Sequence, residues 1–310
     1  MKGVVVKSTG SRYKVLNEEG IYEDCIFKGK YKISGIRSTN PIAVGDVVEY
    51  RMEGNEVTGL IFEIADRKNY IIRRASNLSK ETHILAANID VAFLVVTTSK
   101  PTTQTGFIDR FLASAEAYRI PVSILFNKKD VYTPEELLLA REIGALYTKI
   151  GYESRIISAY DAADVEMLRE KIKGNVCLFV GNSGVGKSTL VNAIDPALDI
   201  KTSEISSYHS KGKHTTTFAQ MYQLTNGGNI IDSPGIKGFG VFDMDKYELS
   251  HFFPEIFRLG SGCRYGNCLH LEEPGCAVQE ALETGEISYS RYESYLKILL
   301  DENDKYRKAY

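Results

Sequence analysis

The sequence predicts a multidomain chain of three unlike parts: a small all-β barrel, a central α/β unit on a mainly parallel sheet, and a mainly α C-terminal part. Three observations carry this. Short alternating runs broken by Gly, Asn, Pro and charged turns fill residues 1 to about 65, strand and helix patterns then alternate, and a Cys/His cluster sits among helical segments beyond about Val241. At 310 residues the chain has room for two to three domains, each with a core.

In the first part Gly3 to Ser8, Arg12 to Leu16, Ile21 to Phe27, Asp46 to Met52 and Val57 to Ile64 read as strands. Such strands suit a closed OB-type barrel. The basic run Arg67 to Arg74 reads as a link between domains. Beyond it, Val91 to Thr97, Val122 to Phe126, Ser154 to Ser158 and Val176 to Val180 are strand-like, while Ile108 to Tyr118, Glu135 to Thr148 and Val165 to Ile172 have helical spacing. That alternation predicts a parallel sheet with helices on both faces, and ligands bind at the carboxyl ends of such strands. Leu190, Val191 and Ile194 continue as a helix that stops at Asp195-Pro196. A polar stretch, Lys201 to His214, reads as a mobile loop, and strands resume at Thr217 to Leu224 and Asn229 to Ile231.

Bulk composition excludes little. Lys and Arg number 38 against 40 Asp and Glu, so the net charge of −2 offers no overall attraction to nucleic acid or membrane. The apolar run after Met1 is too short for a signal peptide, and Val91 to Val96 cannot span a bilayer. A cytoplasmic monomer without membrane contact is expected. Of five cysteines, Cys25 and Cys177 are isolated and Cys263, Cys268 and Cys276 cluster, which in a reducing compartment points to metal before disulfide.

The segment Gly181-Asn182-Ser183-Gly184-Val185-Gly186-Lys187-Ser188 satisfies the phosphate-loop pattern and lies between a strand and a helix. Its glycines let backbone N–H groups close around phosphate oxygens, Lys187 places an ammonium on the β and γ phosphates, and Ser188 can ligate Mg²⁺. Upstream, Asn127-Lys128-Lys129-Asp130 follows a strand. Asp130 can accept from two guanine N–H groups at once, which adenine cannot supply, while Lys128 covers the base with its stem and Asn127 can tie this loop to the phosphate loop. A solvated turn has the same composition, so the tetrapeptide gains its weight from the phosphate loop. Ser158-Ala159 ends the next strand and could offer a backbone N–H to the guanine oxygen.

Asp232-Ser233-Pro234-Gly235 is a D-x-x-G sequence at a strand end, where Asp232 would reach Mg²⁺ through water and Gly235 would sense the γ-phosphate. The alternative is a simple turn. One of Thr215, Thr216 or Thr217 should complete Mg²⁺ coordination, with Thr216 the residue assigned here. Ile236 stands where many GTPases carry a water-orienting glutamine, and its side chain cannot hydrogen-bond water, so isolated turnover should be slow. His214 is the nearest replacement in the catalytic role, against the reading of a surface histidine between Lys211 and Lys213. In ordinary GTPases the phosphate loop comes first; here the guanine motif does, which marks a circularly permuted G domain.

Cys263-x4-Cys268-x-His270-x5-Cys276 offers three thiols and an imidazole, the full tetrahedral shell of a structural Zn²⁺. Reduced buried cysteines or a redox pair are the alternatives. In the barrel, seven Lys or Arg between Met1 and Lys32 stand against four acids and interleave with Tyr13, Tyr22, Phe27 and Tyr31, a pattern shared by single-stranded nucleic-acid binding and by plain barrel filling.

Barrel, permuted G domain and Cys3His segment together resemble the small ribosomal subunit biogenesis GTPase family over essentially the full length. The resemblance implies an OB-fold RNA-binding domain over 1–66, a circularly permuted GTPase domain over 67–242 and a zinc-binding domain over 243–310. It carries GTP binding onto Asn127 to Asp130 and Gly181 to Thr189, and zinc onto Cys263, Cys268, His270 and Cys276. It also implies binding to the small (30S) subunit and its 16S rRNA, with GTP hydrolysed to GDP faster on that particle. A GTP-sensing RNA-binding adaptor with incidental hydrolysis is the competing function, and an ATP-dependent P-loop enzyme a more distant one that Asp130 argues against.

Overall fold

The computed structural model describes residues 1–27, 41–52, 58–74, 82–198, 219–232 and 245–300. Five strands, β1 (Lys2–Ser8), β2 (Arg12–Asn17), β3 (Tyr22–Phe27), β4 (Val47–Met52) and β5 (Thr58–Ile64), make the N-terminal unit. β1 pairs antiparallel with both β2 and β4, β2 with β3, and β4 with β5, while β3 and β5 run parallel. The ring therefore closes and the unit has no free strand edge in the circuit. Alternation puts Val5, Val15, Cys25, Val48, Tyr50 and Ile61 inside. Tyr13 is also inside at 3 % exposure, so this aromatic fills the barrel and is not a free stacking platform.

One sequence reading changes. The basic run expected to be a link holds strand β6 (Tyr70–Arg74), which pairs antiparallel with β7 (Thr82–Ala87). The run Tyr70-Ile71-Ile72 has strong β propensity and Ile71 is buried in the main core, so packing outweighs the flanking charges. Arg67, just before it, forms a two-pronged ion pair with the fully buried Asp46 at 2.6 Å, anchoring the connection to the barrel.

The central sheet contains β8 (Val91–Val96), β9 (Val122–Phe126), β10 (Glu153–Ile156), β11 (Val176–Val180), β12 (Gln220–Gln223) and β13 (Asn229–Asp232) in the order β10-β9-β8-β11-β13-β12. All neighbours are parallel except β12, which is antiparallel to β13. β12 also pairs with β1 at Gln220 and Lys7, joining barrel and sheet into one 11-stranded surface.

The period of two along β8 serves two cores. Leu94 and Val96 face helices α1 (Thr105–Ala117) and α2 (Pro134–Ile150), whereas Phe93 and Val95 face α3 (Ala162–Ile172) and α4 (Lys187–Ile194). A capping box between Thr133 and Glu136, with Pro134 at the first helical position, starts α2. Asp161 caps α3 through the N–H groups of Ala163 and Asp164.

The C-terminal part has a 3-10 turn at Leu249–Phe252, then α5 (Pro254–Gly260), α6 (Ala277–Glu283) and α7 (Tyr289–Leu299). Phe253, Ile256, Val278, Tyr295 and Ile298 make its core, and Ala113 of α1 belongs to the same cluster. No helix among the described residues is long and apolar enough to cross a membrane.

Candidate functional site

The phosphate-loop sequence occupies the turn from β11 into α4. Gly186 caps the helix with φ of +94°, and a Cβ there would lie 2.5 Å from Asn127 Nδ2. Glycine is required on both counts. A Cβ at Gly181 would run into the carbonyl of Val95, so this loop also leaves no room beside β8. Lys187 is 7 % exposed, and its ammonium donates to the carbonyls of Gly181 and Asn182, each at 2.8 Å. Ser188 is buried beside it at the first turn of α4, Thr189 is half-buried, and Ser183 and Gly184 are exposed at the loop's tip. Helix N-terminus, backbone amides and buried cation converge on one point, as an anion site requires.

The guanine-type tetrapeptide follows β9 and meets this loop. Asn127 is 1 % exposed and its Nδ2 donates to the Val185 carbonyl at 2.9 Å. Fifty-eight residues of chain separate the two, so the contact is made by the parallel order of β9, β8 and β11. Asn127 Oδ1 is buried without a hydrogen-bond partner. Lys128 adopts φ of +72° and donates from Nζ to the Lys100 carbonyl at 2.8 Å. The turn Lys129–Val131 carries Asp130, whose carboxylate accepts from the Ser158 hydroxyl.

Three features of this wall go beyond what the sequence motifs specify. The loop after β8 presses Pro101 against Gly184, with 3.4 Å between Pro101 Cδ and a Cβ built at that glycine. Tyr132 donates to the Asn127 carbonyl at 2.6 Å and accepts from the Thr98 N–H at 3.1 Å, pinning the guanine-type loop to the end of β8. Lys129 turns from the cleft to Asp161 at 2.8 Å and Asp164 at 2.6 Å, and the Asp161 carboxylate holds its pKa above the ordinary lysine value. Asp164 also accepts the N–H of Ser158, whereas Ala159 makes no hydrogen bond among the described residues. An N-cap aspartate could be guessed ahead of α3; the tyrosine carries no sequence signal.

Asp232 ends β13, two strands from β8 and one from β11, with its backbone at the same carboxyl edge of the sheet. His214, Thr215, Thr216, Thr217, Gly235 and Ile236 lie outside the described residues.

Far along the chain, the ligand atoms of Cys263, Cys268, His270 and Cys276 all fall within 4.8 Å of one another. Nδ1 of His270 is 3.6 Å from Cys263 Sγ and 3.5 Å from Cys276 Sγ, and the two sulfurs are 3.9 Å apart. Ligands at ordinary zinc bond lengths in a tetrahedron stand about 3.5 Å apart for S···N and about 3.8 Å for S···S. The donor set and its spacing therefore suit a divalent metal. Burial pushes the Cys268 thiol up to about 12, a penalty on the thiolate that a dication among the sulfurs would offset, and draws His270 below the ordinary histidine value, which favours the neutral imidazole a metal takes.

The ligand loop is held from outside. Glu273 accepts the N–H groups of Leu269 at 2.8 Å and Leu271 at 2.7 Å, while the hydroxyls of Tyr292 and Tyr295 donate to the carbonyls of His270 at 2.6 Å and Leu269 at 2.9 Å. Gln279 adds a bond to the His270 carbonyl at 2.7 Å. These contacts orient a histidine whose backbone sits at φ of +61°.

Comparison with known proteins agrees with this arrangement. The RsgA N-terminal domain model matches residues 2–61 and the RsgA GTPase model residues 64–242. A small ribosomal subunit biogenesis GTPase RsgA from Bacteroides fragilis is 58 % identical over 311 aligned residues, covering 100 % of both chains. One from Christiangramia forsetii is 54 % identical, covering 99 % of this chain and 98 % of its own. Among solved structures, YjeQ from Thermotoga maritima superposes with a TM-score of 0.74 at 34 % identity over 97 % of each chain. YloQ, described as a circularly permuted GTPase, gives 0.73 at 28 % identity over 100 % of this chain and 96 % of its own. A closed barrel, a parallel sheet with its guanine-type loop ahead of its phosphate loop, and relatives alike from end to end place this chain in the RsgA GTPase family.

Proposed function

We propose that the chain hydrolyses GTP to GDP and phosphate in small ribosomal subunit biogenesis, with turnover stimulated by the subunit. The family supports this reading, and the observation that carries it is the Asn127 to Val185 hydrogen bond, which brings the guanine and phosphate motifs into one cleft. The barrel over 1–66 and the zinc-binding part over 243–310 are read as subunit-facing domains around a G domain over 67–242, with 16S rRNA as the contacted nucleic acid. The chain is read as a cytoplasmic monomer.

Within the cleft, Asp130 accepts from the guanine N–H groups while Ser158 holds its carboxylate. Ala159, with its N–H unused among the described residues, donates to the guanine oxygen, and Lys128 covers the base. Gly181, Asn182, Ser183, Gly184, Val185 and Gly186 present backbone amides to the phosphates, and Lys187 moves its ammonium from the loop carbonyls to the β and γ oxygens. Ser188 and Thr216 would hold Mg²⁺ directly and Asp232 through water, and the ion would supply charge neutralisation at the phosphates. Thr189 supports the loop from α4 and Gly235 senses the γ-phosphate. His214 positions the attacking water once the subunit fixes its loop, in keeping with the isoleucine at 236. Cys263, Cys268, His270 and Cys276 would hold Zn²⁺, which would staple their loop onto the small core of the C-terminal part.

The test is GTP hydrolysis by the purified chain against isolated small and large subunits. Stimulation by the small subunit alone is expected. No stimulation by the small subunit would leave the adaptor reading in place, and equal stimulation by both subunits would overturn the assignment to the small one.

A further inference from the structure

The C-terminal part meets the G domain through a buried ionic cluster centred on Arg291 of α7. Arg291 is 1 % exposed. Its guanidinium donates to Asp109 of α1 at 2.8 Å and to both oxygens of Glu255 of α5, at 2.7 and 3.2 Å. Tyr147 of α2 donates to the same Asp109 oxygen at 2.6 Å. The guanidinium also lies 4.6 Å from the ring centre of Phe253 and 5.9 Å from that of Tyr147. Four helices thus share one cation, and two of them belong to the G domain.

Those two helices begin at the walls of the nucleotide cleft. α1 follows the loop that packs Pro101 on Gly184 and gives its Lys100 carbonyl to Lys128; α2 follows Asn127 to Asp130 and Tyr132. On the other side, the residues after Arg291 hold the metal-ligand loop: Tyr292 and Tyr295 donate to the backbone of His270 and Leu269. Helix α7 therefore touches the ligand loop with one set of side chains and both cleft helices with another.

We infer that Arg291 is a positioning residue through which occupancy of the Cys3His site and of the guanine-nucleotide site are coupled. Losing the metal frees the ligand loop, removes the acceptors of Tyr292 and Tyr295, and loosens α7. Arg291 then no longer holds α1 and α2 in fixed register, so the Lys100-Pro101 and Asn127 to Asp130 walls bind nucleotide from a broader ensemble and with lower affinity. Linkage makes the effect reciprocal: bound nucleotide tightens the metal. The inference rests on reading the two sites as nucleotide and metal sites.

The experiment measures the Kd of a fluorescent N-methylanthraniloyl GDP on full-length protein, zinc-loaded and chelator-stripped, each exchanged into Mg²⁺ buffer. Metal stripping should weaken binding by about 5-fold or more, the lower range of allosteric couplings. Arg291→Met should bind like the stripped protein whether or not zinc is present. Should that variant not fold, the Tyr292→Phe/Tyr295→Phe double variant removes only two hydroxyls and should likewise lose the metal dependence. An unchanged wild-type Kd on stripping overturns the coupling, and coupling that persists in the variants overturns the route through α7. A protein that takes up no zinc or no guanine nucleotide overturns the site readings themselves, so the two kinds of failure are separable.

Discussion

The nucleotide cleft and the Cys3His segment solve the same problem by opposite means. In the cleft, loops are short continuations of β8, β9 and β11, strands whose residues Phe93 to Val96, Ile124 to Phe126 and Leu178 to Val180 are buried on both faces. The sheet positions the loops whether or not anything is bound. The ligand loop of the C-terminal part has no sheet beneath it. Its neighbours α5 and α6 are seven residues each, too short to stand alone in water, and its shape comes from turns, capping side chains and the four donors themselves. Ordering is intrinsic to the sheet in one region; in the other, a small core and a few side-chain hydrogen bonds would share it with the proposed metal.

Removing the metal should give the largest contrast. Structural zinc sites contribute apparent binding free energies of about 10–16 kcal/mol, comparable to the entire stability of a domain. Chelation, or Cys276→Ser, should therefore abolish amide protection across α5 to α7 in hydrogen exchange while β8, β9 and β11 keep theirs. Equal protection in both regions after metal loss would erase the distinction between them.

Next in size is the seam between the regions. Asp109→Ala leaves Arg291 with one fewer carboxylate in a site without water access, and breaking buried pairs of this kind costs about 3–5 kcal/mol. The wild-type cluster is not ideal, since Asp109 Oδ2 is buried without a partner. Chemical denaturation should show the C-terminal part separating from the sheet in an earlier transition. A single transition with an unchanged midpoint would show that contacts other than this ion pair hold α7 to α1.

The same contrast explains what could be read in the sequence. Val122–Phe126 and Val176–Val180 stand out as almost wholly apolar runs of strand length, and their structural limits are the predicted ones. Linear motifs that follow such strands are legible for the same reason. Strand β6 was hidden because Arg67, Lys68, Arg73 and Arg74 make up half of the run Arg67 to Arg74 in which it lies, although Ile71 decides its burial. Beyond Val241 the pattern showed helix and metal donors but not three separate helices, because short elements around a metal need little periodicity. Tyr132 reaches Thr98 across 34 residues of chain, Tyr292 reaches His270 across 22 and Arg291 reaches Asp109 across 182, distances over which one sequence carries no pairing information.

A smaller effect sharpens the account of the cleft. Asn127→Ala deletes the tie to Val185 and leaves that buried carbonyl without its donor, a loss of about 1–3 kcal/mol. Nucleotide affinity should fall by about 10-fold to 100-fold with little change in the thermal midpoint of the sheet, as measured by titration and calorimetry. A midpoint that falls as steeply as the affinity would mean that the loop supports the sheet and not the reverse.

The smallest effect concerns the exposed rim, where Lys129 bridges to Asp161 and Asp164. Lys129 holds the Asp161 carboxyl below its ordinary pKa, with the N–H groups of Asp164 and Ala163 adding to the effect. A depressed carboxylate contributes stability that is present above its unfolded value of about 3.9 and is lost as pH falls through the lower folded value. Asp161→Asn keeps an equally good N-cap for α3 and removes only the charge, so it isolates the ion pair. Its thermal midpoint should lie slightly below wild type near neutral pH, and the gap should close in acid and shrink in high salt, because the pair is solvent-exposed. A gap that persists below pH 3 would assign the aspartate's contribution to the cap, and the rim would then owe its order to helix α3 as the rest of the cleft owes its order to the sheet.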